Sequence, residues 1–175
     1  VLYMNDPQIQ FSEQLRYTKG EQLRCAGSDR KFEIDLYQLQ ELLNISAFWA
    51  KGRTIEDLSI VIANSEPVIS VSDGDRLIGF ARATSDGIYR ATIWDVVVHP
   101  DYRGSGVGSN LVKTVLSHPR MRWVERVYLM TTHQQDFYEK IGFKPNTTTT
   151  MVLCTQAKIN ILSTTEVQLQ ESLGE

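Results

Sequence analysis

The chain is predicted to fold as an α+β domain, an antiparallel meander of strands with helices before and after it in sequence. Three observations carry that expectation. Apolar residues recur at helical spacing over residues 36–50 and again after Thr54. The period then changes to two in VISVS, RLIGFARAT and ATIWDVVV, separated by Asp73-Gly74-Asp75 and Ser85-Asp86-Gly87; Asp-Gly pairs tolerate the positive φ that hairpin turns use. Helical patterns return after a glycine-rich loop, up to about Ser117, and in QQDFYEKI.

Taken in order, residues 1–33 are polar and weakly patterned, with short strands expected around Ile9 to Phe11 and Gln22 to Cys25. Asp35 is a good N-cap, and Leu36, Leu39, Leu43 and Phe48 predict an amphipathic helix over 36–50. Thr54 and Asp57 resemble a capping box for a second helix ending near Asn64. The three period-two runs form an antiparallel meander. After the loop and its helix come a strand in RVYLMT, a short helix closed by Gly142 as its C-cap, and a late strand over 151–154. NTTTT at 146–150 is expected as an exposed loop and 155–175 as a loose tail. At 175 residues the whole chain reads as one domain with its core at about 20–154.

Composition excludes several classes. Apolar residues are 42% of the chain and charged residues 22%, which argues against disorder. A formal charge of −3 gives no reason to expect nucleic acid, whose binders carry a basic face. Cys25 and Cys154 are far apart and lack metal-ligand spacing, so neither a disulfide framework nor a metal is expected. No apolar run is long enough for a membrane span, and acidic residues near the start count against an intact secretion signal or transit peptide. The expectation is a reduced compartment: cytoplasm, or plastid stroma for a mature plant or algal chain.

The segment IWDVVVHPDYRGSGVGSNLV places Gly104, Gly106 and Gly108 beside a helix start, where glycine weakens the helix. A glycine loop leading into a helix presents unpaired backbone N–H groups and the positive end of the helix dipole, an anion site suited to a pyrophosphate. The phosphate loop of ATPases needs Gly-Lys-Ser/Thr, and here Gly108 is followed by Ser109 and Asn110. The dinucleotide loop is missed as well, since Ser109 stands at its third glycine and the loop lies too far beyond Val98. Arg103-x-x-Gly106-x-Gly108, between a strand and a helix, resembles instead the coenzyme A loop of the GNAT superfamily of N-acetyltransferases. DFYEKIGF resembles the aromatic-Tyr-x-x-x-Gly-Phe signature of that superfamily's last core helix. LIGFARATSDGIYRATIWDVVVHP is similar to a segment of its plastid and cyanobacterial branch, which includes serotonin (arylalkylamine) and protein lysine acetyltransferases.

The resemblance implies a splayed, mixed, mostly antiparallel sheet with helices on both faces, acetyl-coenzyme A as cosubstrate, and a direct transfer to an amine in a ternary complex. It implies that Val96, Val97 and Val98 meet the pantetheine arm, and that Arg103, Gly104, Ser105, Gly106, Val107, Gly108 and Ser109 hold the pyrophosphate. Thr131 is expected to line the coenzyme site. It stands where many relatives carry Asn and the plant arylalkylamine branch Asp, and threonine cannot serve as a base. Tyr138 is expected to touch the coenzyme and protonate the departing thiolate, since a phenol with a pKa near 10 stays protonated until needed. As a residue read by itself, Tyr138 could equally pack beside Phe137 and Phe143.

An alkylamine with a pKa of about 10.4 is mostly charged, and its neutral form costs roughly 4 to 5 kcal/mol at pH 7. Something must take that proton. Asp95, between Trp94 and three valines, is the first candidate and would share a strand face with Val97; His133 is the second. The expected enzyme is therefore an N-acetyltransferase acting on a small amine or a lysine-bearing peptide, as a monomer or homodimer, without nucleic acid or membrane. The alternative is a non-catalytic acetyl-coenzyme A binding module on the same fold.

Overall fold

The computed structural model describes residues 8–13, 34–148 and 150–153. Strands β1 (Ile9–Glu13), β2 (Val68–Asp73), β3 (Arg76–Ser85), β4 (Arg90–Val98) and β5 (Arg126–Tyr128) form one sheet in sequence order. The first four run antiparallel and β5 runs parallel to β4, so the expected meander is present and its last neighbour makes the sheet mixed. Gly74 supplies a φ of 56° to the β2–β3 turn. Asp86 closes the β3–β4 turn, its Oδ1 accepting from the N–H groups of Ile88, Tyr89 and Arg90. Those backbone donors, Arg90 first, hold its carboxyl below the usual aspartate range.

Helices α1 (Leu36–Ser46) and α3 (Val107–Ser117) cover opposite faces, because neighbouring strand residues point to opposite sides. Phe80 and Val97 join Leu39, Leu42 and Leu43 of α1 and Leu58 of α2 (Ile55–Ala63) in one buried cluster. Gly79, just before Phe80, turns the other way: a Cβ there would lie 3.6 Å from Val107 of α3. On that helix Leu111, Val112 and Val115 are fully buried. Both predicted caps are made: Asp35 Oδ1 accepts from Tyr37 and Gln38 N–H, and Thr54 Oγ1 accepts from Asp57 N–H at 3.1 Å.

The first helix ends earlier than its periodicity predicts. Ala47 is extended, with φ −138°, and a 3₁₀ turn, Phe48–Ala50, follows. Ala47 and Ala50 are both buried in the core at 1% exposure, while Phe48 and Trp49 between them stay exposed. The strand expected at RVYLMT shortens to three residues. A last short helix, α4 (Gln135–Glu139), completes a compact unit that ends at Ile141.

Gly142–Glu175 form a separate unit. Gly142 has a φ of 110°, but the cap of α4 is Lys140, so the glycine expected to close the helix stands two residues beyond its cap. Asn146 Oδ1 accepts from Thr148 N–H and Oγ1–H within the exposed loop predicted there. The expected late strand is not formed over 151–153: these residues are irregular and more than four-fifths exposed, without the neighbouring ladder a strand needs. Cys154, the tail and the strand expected at 22–25 lie outside the described residues. Among the described residues no helix is long and apolar enough to cross a membrane.

Candidate active site

Strand β4 changes character along its length. Its first three residues pair with Arg126, Val127 and Tyr128 of β5, and two of them, Ala91 and Thr92, pair with β3 as well. Pairing with β5 stops at Thr92↔Tyr128, whereas β4 continues to Val98. The sheet therefore splays after Thr92 and leaves residues 93–98 without a strand partner on the β5 side among the described residues. Val96, Val97 and Val98 lie on this open half. Val97 is buried toward α1, and Val98 is half-buried.

A bulge sits in the same half. Phe80 opposes Val97 and Arg82 opposes Trp94, so two steps on β3 face three on β4. The extra residue is absorbed at Asp95, the one described non-glycine residue with positive φ, 53°. Strict alternation would put Trp94 and Val97 on opposite faces; the bulge brings them to the same face. Asp95 is turned toward the α1–α2 connection. Its side chain is 6% exposed and carries two ion pairs: Arg53 Nη1 donates to Oδ1 at 2.9 Å, and Arg82 Nε to Oδ2 at 2.7 Å. Arg82 also donates to Ser65 Oγ at 3.1 Å and lies 5.7 Å from the Trp94 ring centre.

From Val98 the chain enters the glycine loop through a 3₁₀ turn, Pro100–Tyr102, which is tied back to the β2–β3 hairpin. Tyr102 Oη–H donates to Asp73 Oδ2 at 2.5 Å, a bond that pushes its phenol above the usual tyrosine range. Arg76 Nη2 lies 2.7 Å from Nε2 of the buried His99. Ser105 Oγ–H donates to Tyr102 O at 2.6 Å and tightens the turn. Two glycines then meet a backbone demand: φ is 77° at Gly104 and 90° at Gly106, the N-cap of α3. A Cβ on Gly104 would meet nothing within 4 Å. Because Gly106 provides no capping side chain, the first-turn amides of α3 at Val107, Gly108 and Ser109 are left to an incoming anion.

Gly108 has a different reason to be small. A Cβ there would lie 3.5 Å from both Phe137 Cζ and Val98 Cγ2, so the end of β4, the start of α3 and α4 converge on it. Tyr138 follows Phe137, the two rings edge to face with centres 4.9 Å apart. Burial pushes the Tyr138 phenol above the ordinary tyrosine range.

The structure thus brings Val98, Gly108 and α4 with Tyr138 into one neighbourhood, and sends Asp95 to its arginines on the α1–α2 side. His133 is exposed in the turn before α4, and Thr131 Oγ1 caps that turn by accepting from Gln134 N–H at 3.2 Å. Arg103 reaches backward: Nε donates to Val98 O at 3.2 Å and Nη2 to Ser46 O at 3.3 Å. Arg53 and Arg82 are the site residues that sequence reasoning passed over. Arg82 left a signal, an isolated cation in an apolar strand facing another strand with an isolated anion; Arg53, in a polar connection, left none.

Residues 60–145 match the model of the acetyltransferase (GNAT) domain. The N-acetyltransferase ycf52 of Pyropia yezoensis is 37% identical over 115 residues, 63% of this chain and 65% of its own length. Histone acetyltransferase TAP1 of Glycine max is 36% identical over 64% of this chain and 53% of its own length. The chloroplastic serotonin N-acetyltransferase 2 of Oryza sativa subsp. japonica is 34% identical over 41% of this chain and 36% of its own length. The chain therefore spans less than two thirds of the curated relatives it resembles. A crystal structure of an acetyltransferase-family protein from Deinococcus radiodurans R1 superposes with a TM-score of 0.63 at 25% identity, covering 85% of this chain and 89% of that one. These likenesses place an acetyltransferase (GNAT) domain over residues 60–145 of the chain.

Proposed function

We propose that this domain transfers an acetyl group from acetyl-coenzyme A to a primary amine, borne on a small arylalkylamine or on a lysine side chain. The observation that carries the reading is the open half of β4, running into an α3 N-terminus that no side chain caps. The residues fit the coenzyme: amides at 107–109 for the pyrophosphate, a Gly104 with open space around it, and the strand edge at 96–98 for the pantetheine arm. When bound, acetyl-coenzyme A supplies the activated thioester and a thiol leaving group. Arg103, engaged with Val98 O and Ser46 O, clamps the end of β4 and leaves the anion to the backbone amides and Ser109.

Tyr138 holds a proton at Oη for the leaving sulfur. Its burial makes the neutral phenol the resting form at every physiological pH, the state a proton donor needs. Asp95 has both oxygens committed to guanidinium groups, so proton abstraction would require displacing one of them. We assign Asp95 to positioning, and the amine proton to water reaching the open half of β4. His133 is exposed and stays outside this scheme.

The test is to mix the protein with acetyl-coenzyme A and a panel of arylalkylamines, alkylamines and lysine peptides, following free thiol. Thiol release with at least one amine, matched by acetylated product, is the expected result. Coenzyme binding without release on any amine would support a binding module instead.

A further inference from the structure

The segment running from the last residue of α1 toward α2, residues 46–53, is fastened at both ends to the open half of β4. At its start, Arg103 joins Ser46 O to Val98 O. At its end, Arg53 joins Asp95 in the bulge, while the Arg53 carbonyl accepts from Gln40 Nε2 at 2.7 Å. Between these fastenings Ala47 and Ala50 are buried in the core, so the intervening side chains have little freedom to turn inward. Phe48 and Trp49 project outward, 56% and 52% exposed, edge to face with ring centres 5.1 Å apart. The segment is a strap laid along 95–98, with two exposed aromatic rings held between its fixed ends.

We propose that Arg53 is a positioning residue for the acceptor: its ion pair with Asp95 holds the strap, and through it Phe48 and Trp49, against the half of β4 where transfer occurs. This rests on the reading of that half as the transfer site. Asp95 contributes as the anchor of the strap. The bulge is what makes the anchor available, because it turns Asp95 onto the α1–α2 side. Arg82 gives the anchor a second partner, 14% exposed against 30% for Arg53, so Asp95 remains paired when Arg53 is removed. Arg53→Gln therefore leaves no unpaired buried carboxylate and should fold, whereas Asp95→Ala would strand Arg82.

Three variants test the inference by hydrogen exchange and steady-state kinetics: Arg53→Gln, Arg53→Lys and Asp95→Asn. In Arg53→Gln, exchange of the amides over 46–53 should accelerate about tenfold, the loss expected for one charge-assisted contact. With an accepted amine, KM for the acceptor should rise about tenfold while KM for acetyl-coenzyme A stays within about twofold. Arg53→Lys should recover part of both effects. Asp95→Asn should raise acceptor KM in the same way at all pH values. Unchanged strap exchange, an equal rise in both KM values, or an Asp95→Asn loss confined to kcat and recovered at high pH would overturn the inference, the last by making Asp95 a base. If the wild type releases no thiol with any amine, the transfer reading fails, and the exchange measurement still decides whether Arg53 fastens the strap.

Discussion

The two halves of β4 have the same backbone and differ in what surrounds it. Ala91 is 2% exposed and lies between Ser85 of β3 and Val127 of β5, so the first half belongs to the interior of the sheet. The second half, residues 93–98, is the more apolar of the two, and it has lost its β5 neighbour and gained a left-handed residue and a glycine loop. An identical backbone chemistry is consumed by structure in one half and made available in the other. The difference teaches that the site is made by ending a strand pairing early, and that its side chains mainly hold that opening in shape.

A substitution in the closed half should be the most damaging to the fold. Ala91→Asp would bury a charge with no partner, and is expected to destabilise by about 4 kcal/mol or more, read as a shift of the urea midpoint. A fold that tolerates it would erase the contrast between the halves.

Beside the open half, Tyr138→Phe keeps the ring and its contact with Phe137. Stability should barely change, while turnover falls by roughly 10² to 10⁴. The pH dependence follows from the direction of the phenol's shift. Burial raises its pKa, so the proton donor is intact below about pH 10 and is lost only as pH rises through the higher folded value. The wild-type rate should therefore climb with pH as the amine deprotonates, with no falling limb below about pH 10. A falling limb near neutrality, or wild-type turnover in the phenylalanine variant, would remove Tyr138 from the proton path.

Within the loop the glycines should separate by cause. Gly106→Val meets the backbone demand of φ 90°, costing about 1 to 2 kcal/mol locally, and should weaken acetyl-coenzyme A binding about tenfold or more by calorimetry. Gly108→Ala has a helical backbone and ordinary contacts at 3.5 Å, so affinity should change less than about twofold and helix stability should rise slightly. Equal effects at both positions would contradict this division.

Much of this was legible in sequence because it follows from local chemistry. Asp35, Thr54 and the Asp-Gly turns announce their caps and hairpins, and the alternate glycines announce a loop with unusual backbone demands. What escaped depends on distant partners. Nothing near Asp95 signals a bulge, which exists only because β3 and β4 take unequal numbers of residues to cover the same distance. The break in α1 at Ala47 is set by the core that Ala47 and Ala50 enter, and the same residues fit a continuing helix by spacing alone. The two carbonyl acceptors of Arg103 come from β4 and from α1, far apart in sequence, and its motif position carries no sign of them.

The most direct test of the central claim is amide hydrogen exchange along β4 and into α3, with and without saturating acetyl-coenzyme A. Amides at 91–92 already sit in a sheet paired on both sides, and their exchange should be slow and unchanged by the coenzyme. Amides over 95–98 and 106–109 should slow markedly, by about tenfold or more, as the strand edge and helix start acquire partners. Protection spread evenly along β4, or confined to segments away from 95–98 and 106–109, would contradict the account.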